Sequence, residues 1–498
     1  MAASSARRDA PHEGSLDRIS LLVLVAAGLG ALGIIAVRLH DATTLSPLSY
    51  NEGWNAYHAL RFQQTGSPYP PSGGLVMNNY TPIWFPLVAW MGAITESLVF
   101  AGRAVATLGF FVILGAAAMI GFTLRGRTGA LASLVSVAFV LAAEAYLYIG
   151  IADPQLLAQG IAAIALLLAV RATSTQDPLY LWAMAVAVLA GFFKYNLAAL
   201  PFALLIAALF EGRAAFIRVM LVAAAAMVFG YVLCALVGGF SWPVQLLSPR
   251  VYSMSRLLRQ ALPFITANAL GFLIAFVGIS TLPKGHVQRL LAVYLLTALP
   301  LAVFFVGGEG VAINIFFDTL VAMAVGISLA IGVRPSIAGG NSGQPSVATL
   351  PAWGAAAVLC AFLAVIGFPQ FLETAIRVRH PEAFNERAEK FREDIEFLKR
   401  VPGNAVCYDL DLCYLAGKPL IYDPFNAYQA LSTGAISKDR ARALLHESHV
   451  QVIHISNPPN PVLGVPSPMA EEVAADFAVA RTNVNGVFYV RRGRPSSQ

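Results

Sequence analysis

Eleven apolar runs set the terms on which this chain can fold. They lie near residues 19–38, 99–122, 129–148, 154–171, 178–192, 196–210, 215–238, 264–282, 287–306, 311–332 and 351–371, and most approach the about 20 residues that carry a helix across a hydrocarbon core. Backbone in lipid must satisfy its own hydrogen bonds, so such runs become helices packed on one another. Composition agrees: 57% of the 498 residues are hydrophobic, 12% are charged and mean hydropathy is +0.67, against roughly 25% charged residues in soluble domains. Half of the 33 basic and 27 acidic residues fall after residue 372, where composition becomes ordinary. A single large soluble enzyme, a disordered chain and a fibrous protein are excluded. What remains is a polytopic α-helical membrane protein of about eleven crossings with a small C-terminal α/β extramembrane domain.

Basic residues gather on the cytoplasmic side of a membrane. With the N-terminal tail (1–18) inside, the inner segments hold Arg7, Arg8, Arg18, Arg125, Arg127, Arg171, Arg213, Arg218, Lys284, Arg289 and Arg334, eleven of the eighteen basic residues before 373. An odd number of crossings then places the C-terminal domain outside, in the periplasm of a bacterial inner membrane. Topology absorbs much of the +6 net charge, so nucleic acid is not an expected partner. The first run is too long for a signal-peptide core and lacks a cleavage site, so it reads as a retained helix. Counting 80–92 (YTPIWFPLVAWMG) as a crossing would reverse the basic bias, and its two prolines and two tryptophans suit an interfacial helix. The first outer loop then spans 40–98, within a membrane domain of 19–372. Loops of that length are usually functional.

Residues 334–350 read as a Gly/Ser/Pro linker. In the C-terminal domain (373–498), a charged helix near 382–400 precedes four β-rich runs, NAVCYDL, KPLIYD, VQVIHI and GVFYVRR, alternating with helical stretches at 436–448 and 468–478. Cys407 and Cys413 can pair only if the segment between them folds back, since six extended residues would hold them about 20 Å apart.

Six carboxylates fall at the outer face: Asp41, Glu52, Glu96, Glu144, Asp153 and Glu309. Acids beside a membrane are costly unless solvated or used. Glu52, in LSYNEGWNAYHALRF, is either a helix N-terminal charge or a reacting group. Asp153, before Pro154, is either a helix cap or a site residue. Lys194, between two apolar runs, either snorkels or neutralises a phosphate. Arg250, Arg256 and Arg259 stand on the side that disfavours cations, with Arg256 and Arg259 on one helical face; they hold either anionic lipid or a specific anion. Asn314 lies in the first turn of a late outer helix, with Asp318 deeper. No P-loop, dinucleotide fingerprint, zinc-spaced cluster or GxSxG is present.

Taken in order, these pieces resemble the GT-C class of integral membrane glycosyltransferases, in the branch with protein O-mannosyltransferases, aminoarabinose transferases and rhizobial lipopolysaccharide sugar transferases. The resemblance covers most of 15–372. It rests on one helix, a long outer loop with Tyr50-Asn51-Glu52-Gly53, the Tyr80-Thr81-Pro82 segment, Asp153-Pro154, the turn holding Lys194 and Asn196, and Asn314. It implies transfer of a sugar from a polyprenyl-phosphate donor to a lipid, polysaccharide or protein acceptor on the outer face, by inverting displacement with a carboxylate base and cations on the leaving phosphate. Membrane lipids are the remaining partners. Members commonly show Asp-Glu where this chain has Asn51-Glu52, so Glu52 is the expected base, with Asp153 second. Lys194, Tyr80, Asn196 and Asn314 are the implied substrate contacts, and Arg256 and Arg259 join them on charge. A divalent cation is the one cofactor left open. The alternative reading is a transporter or flippase of lipid-linked saccharides, which would more often show repeated halves and broken helices at the midplane.

Overall fold

The computed structural model describes residues 18–71, 73–248, 250–331, 352–456 and 476–492, without the side chains of 352–357. All eleven apolar runs are helical, and the chain is a multi-pass membrane protein. In order come α1 (Arg18–Ala42), α2 (Tyr50–Thr65), α3 (Trp84–Thr95), α4 (Leu98–Glu144), α5 (Gln155–Arg171), α6 (Pro178–Gly191), α7 (Ala199–Leu209), α8 (Arg213–Gly238), α9 (Trp242–Leu246), α10 (Met254–Ser280), α11 (His286–Val306), α12 (Phe317–Ala330) and α13 (Ala352–Arg379). Among the described residues seven helices are long and apolar enough to cross a membrane, while α3, α5, α6 and α7 are shorter. Two of the expected runs fuse in α4, whose 47 residues break at Arg125 and Gly126, where Gly126 takes φ 65°. The bundle's outside is apolar: Leu221, Val228 and Leu236 of α8 are 61%, 65% and 78% exposed, a surface suited to lipid.

Contacts sort the loops into two ends. At one end Arg125 donates to Thr281 (2.6 Å), and Glu211 meets Arg289 (3.7 Å) and Thr175. At the other, Glu52 meets Arg103, Asp153 meets Lys194, and Arg256 meets Glu309. The residues in these contacts are grouped as expected, Arg125 and Arg289 apart from Glu52, Asp153, Lys194, Arg256 and Glu309; Arg7, Arg8 and Arg334 lie outside the described residues. Helix α3 spans only 12 residues; it buries Trp84, Phe85 and Val88 and exposes Trp90 and Ile94.

The C-terminal domain sits on this second end. Helix α13 runs through residue 372 to Arg379 before α14 (Pro381–Arg400) begins. A four-stranded sheet follows, built from β1 (Asn404–Cys407), β2 (Val450–Ser456), β3 (Phe477–Asn483) and β4 (Gly486–Arg491) in the order β1-β2-β4-β3. Strands β1 and β2 are parallel, joined through α15 (Leu410–Leu415), α16 (Pro424–Ser432) and α17 (Lys438–Glu447); the other pairs are antiparallel. KPLIYD is not a strand. Pro419 offers no N–H to a ladder, and Asp423 N–H donates to Leu75 O of the first loop (2.9 Å). Strand β3 occupies ground read as the end of a helix. The linker 334–350 and the helical stretch 468–475 lie outside the described residues. Cys407 and Cys413 form a disulfide across the turn from β1 into α15, with Cα atoms 5.8 Å apart.

One apolar core joins the two parts: Trp54, Trp84, Phe85 and Val105 cluster with Phe391, Leu398, Leu410 and Phe488. At Gly53 a Cβ would collide with the backbone of Leu410 and Asp411, so glycine is what lets α15 lie directly on α2.

Candidate active site

A cavity of about 300 Å³ opens at the domain-bearing end. Its wall comes from five places: Tyr50, Asn51 and Trp54 of α2; Asn79 and Tyr80 of the following loop; Tyr148 between α4 and α5; Arg250, Arg256, Gly310 and Asn314 from the later helix ends; and Phe425 and Asn426 of the C-terminal domain. Ser49 caps α2, accepting from Asn51 N–H. That cap starts the helix so that residues 50, 51 and 54, one turn apart, share the cavity face.

Asp153 lies directly behind this wall, 2% exposed. Its Oδ2 accepts from Asn51 Nδ2 (3.2 Å) and Tyr80 Oη (3.1 Å); its Oδ1 accepts from Gln155 N–H (2.9 Å). It therefore caps α5 and joins the site at once. Lys194 Nζ reaches both oxygens at 3.3 and 3.4 Å and stands 3.7 Å from the Tyr80 ring centre. Burial lowers the Lys194 ammonium against the pull of Asp153, and burial with Asp153 raises the Tyr80 phenol well above its ordinary value. Lys194 is thus the counter-ion of Asp153 rather than a free cation facing the cavity.

Glu52 departs furthest from expectation. It is fully buried and does not line the cavity. Arg103 grips both its oxygens at 2.7 Å, and the N–H groups of Leu48 (2.9 Å) and Ala152 (3.0 Å) complete the shell. Arg103 also donates to the carbonyls of Ala42, Thr44 and Ser46. The pair ties the start of the first loop to α4 and to the peptide preceding Asp153. A carboxylate so occupied has no lone pair turned toward a substrate, so Glu52 is not placed as the base.

The amides converge beneath the cavity: Asn196 Nδ2 and Asn314 Nδ2 both donate to Gln155 Oε1, at 3.1 and 3.2 Å. Only Asn314 reaches the wall. The two arginines expected together separate. Arg256 turns inward to the carbonyls of Gly308 and Val311 and to Glu309 (3.1 Å), whereas Arg259 is exposed and donates to Ser255, at 3.3 Å. Three helical residues leave about 60° between them, enough to split them across the rim. Arg250 takes the place at the cavity: it donates to Glu309 O (3.0 Å), faces the Asn79 amide and lies over the Phe425 ring. Among the described residues it has no carboxylate partner.

The sequence names no residue of the C-terminal domain at the site, yet that domain supplies part of the wall. Asp423 caps α16 and accepts from Tyr50 Oη (2.5 Å), Trp54 Nε1 (2.8 Å) and Asn426 Nδ2 (2.6 Å). It fixes two wall residues from 369 or more positions away. Phe425 packs on Gly310, whose φ of 75° and missing Cβ leave room for the ring. The Asp423-Pro424 pair is a readable helix start, but nothing local says what it would face. Asp318, deeper in the bundle, is closed by Tyr294 (2.7 Å) and Gln159 (3.1 Å).

No family model matches the sequence, and no curated protein matches it significantly. Solved structures do. ArnT from Cupriavidus metallidurans bound to undecaprenyl phosphate aligns with a TM-score of 0.62 over 95% of this chain and 98% of that one, at 13% identity. Its apo state gives 0.59 over 94% and 97%, also at 13%. The Archaeoglobus fulgidus oligosaccharyltransferase in the apo form gives 0.52 over 96% and 75%, at 12%. The chain has a GT-C fold. That fold is the one the order of motifs implied, and in this chain the first loop, the late helix ends and the C-terminal domain meet around one cavity.

Proposed function

We propose that this chain transfers one sugar, a hexose or a pentose, from a polyprenyl-phosphate carrier to an acceptor on the outer face of the membrane. The observation that carries the reading is the cavity itself. It brings Tyr80, backed by Asp153, into one enclosure with Arg250 and Arg256. Its about 300 Å³ is at the small end of ligand pockets, enough for a sugar and a phosphate but not a long chain. ArnT, bound to undecaprenyl phosphate, supports the class of carrier. The Cys407–Cys413 disulfide and the basic-residue bias support an oxidising, outer location for the C-terminal domain.

In this reading the acceptor hydroxyl oxygen attacks the anomeric carbon while the carbon–oxygen bond to phosphate breaks, its electron pair leaving with the phosphate. The acceptor proton passes to Tyr80 Oη as the Tyr80 proton passes to Asp153 Oδ2. Arg250, which has no carboxylate partner among the described residues, takes up the growing phosphate charge, and Arg256, held by Glu309, lies beside it. A phosphate departs as an anion and needs no general acid. A divalent cation does not fit: among the described residues no three His, Cys, Asp or Glu side chains group together, and the Asp153 oxygens are already held by four donors. The transporter reading gains nothing from Asp318, whose partners close it off.

The test is turnover in lipid nanodiscs with a panel of labelled polyprenyl-phosphate sugars. One donor is consumed by the wild type, and Asp153→Asn and Tyr80→Phe lower kcat by about 10²–10⁴, the range of a lost general base, with donor binding retained. Wild-type turnover by Asp153→Asn, or no consumption of any lipid-linked sugar, overturns the proposal.

A further inference from the structure

A second and larger cavity, of about 670 Å³, lies on the other side of α2, between residues 70, 71 and 73–76 and the C-terminal domain. Among the described residues three cations line it and no acid does. Arg61 spends only its Nε, on Tyr69 O (2.9 Å), and has no carboxylate partner among the described residues. Lys418 Nζ rests on the carbonyls of Val401 and Gly403. Arg440 is exposed, with Glu447 no nearer than 3.8 Å. Between these charges stand the rings of Tyr57 and Tyr414, edge to face at 5.3 Å, which offer apolar faces and a polar rim. His58, also on the wall, is held neutral by burial, its pKa lowered to about 3, so the positive charge of the wall comes from Arg61, Lys418 and Arg440.

The two cavities are joined by one stretch of chain. Lys418 and its neighbours line the second, and Phe425 and Asn426, a few residues on, line the first. Extended, that stretch spans at most about 25 Å, the reach of a short oligosaccharide.

We propose that the second cavity binds an acidic stretch of a saccharide acceptor, its carboxylates or phosphates on Arg61 and Arg440 and its sugar rings against Tyr57 and Tyr414. Guanidinium forks suit such oxyanions, and the cavity is large enough for more than one sugar. The inference rests on the transferase reading for why a saccharide should be there. Binding can nonetheless be measured without turnover.

The experiment uses the full chain in nanodiscs of zwitterionic lipid and three soluble probes: tetragalacturonate, its neutral methyl ester, and glycerol phosphate as a lipid-headgroup mimic. Tetragalacturonate binds, and the other two bind at least about tenfold more weakly, the loss of one charge-assisted contact or more. Arg440→Glu, at an exposed position, weakens tetragalacturonate by a similar factor, and Gln64→Trp, at the rim, weakens it sterically. Binding survives in Asp153→Asn, which separates this proposal from the transfer chemistry. Absence of tetragalacturonate binding, equal binding of the methyl ester, or indifference to both Arg440→Glu and Gln64→Trp overturns it. Equal binding of glycerol phosphate assigns the cavity to a lipid headgroup and overturns the saccharide.

Discussion

Glu52→Gln separates a structural carboxylate from a catalytic one. In the wild type the Glu52 side chain is 0% exposed and that of Arg103 3%, with two contacts of 2.7 Å between them. The substitution keeps one acceptor oxygen but removes the charge, leaving the Arg103 guanidinium buried against an amide. Breaking a buried pair from one side costs about 3–5 kcal/mol, a large share of the about 5–15 kcal/mol that holds a folded domain. Folded yield should fall several-fold, because even 1–2 kcal/mol changes steady-state abundance. The companion Glu52→Gln/Arg103→Met replaces the orphaned cation with an apolar chain of similar length, and such replacement of a buried pair is often neutral. The double variant should recover most of the yield, and its turnover per folded molecule should lie within about tenfold of wild type, about 1.4 kcal/mol of residual misfit beside Asp153. Fluorescence-detected size exclusion gives the yield, and lipid-linked sugar turnover normalised to it gives the activity. If Glu52→Gln folds at wild-type yield while turnover vanishes in both variants, Glu52 is the base and the geometric argument is wrong.

Arg250→Gln removes a cavity cation that no carboxylate among the described residues neutralises; kcat/KM for the lipid-linked donor should drop by about 10²–10³, as when one preorganised donor to a developing anion is lost, and an unchanged value would exclude Arg250 from phosphate stabilisation. Asp411 is buried behind α2, with Oδ1 lacking a partner, and burial, followed by the nearby Glu52 carboxylate, pushes it well above the usual 3.8. A carboxyl raised in the folded state favours folding below its unfolded pKa and loses that contribution as pH rises through the folded value. Asp411→Asn should therefore match the wild-type melting temperature near pH 4, exceed it near pH 7 and flatten the slope between, whereas an equal shift at every pH would count against titration as the cause.

The sequence disclosed what short-range patterns encode. Apolar runs long enough for lipid became helices, and loops sharing the expected side share an end of the bundle because side is set by counting crossings, a one-dimensional operation. Asp153 and Lys194 were legible as costly charges in need of partners, and each is the other's. Glu52 was misread because its partner, Arg103, lies 51 residues away inside a run that read simply as helix. A charge near the start of an apolar run says nothing about what it grips. KPLIYD was misread for a related reason. Alternating apolar residues specify extended chain but not its neighbour, and here the neighbour is the first outer loop rather than the sheet.

The departure at Asn51 also takes on a physical meaning. A carboxylate at 51 would stand where the Asn51 amide now donates to Asp153 at 3.2 Å, setting two like charges against one lysine. With asparagine there, the site carries a single acid, and a neutral donor holds it. The same economy explains why Asp423 is met only by neutral donors, Tyr50, Trp54 and Asn426. It shapes the wall from behind without taking Arg250, the wall cation with no carboxylate partner among the described residues, away from a phosphate. Of the two arginines on the wall, Arg256 is answered by Glu309 at 3.1 Å, which leaves Arg250 as the one that no carboxylate among the described residues answers.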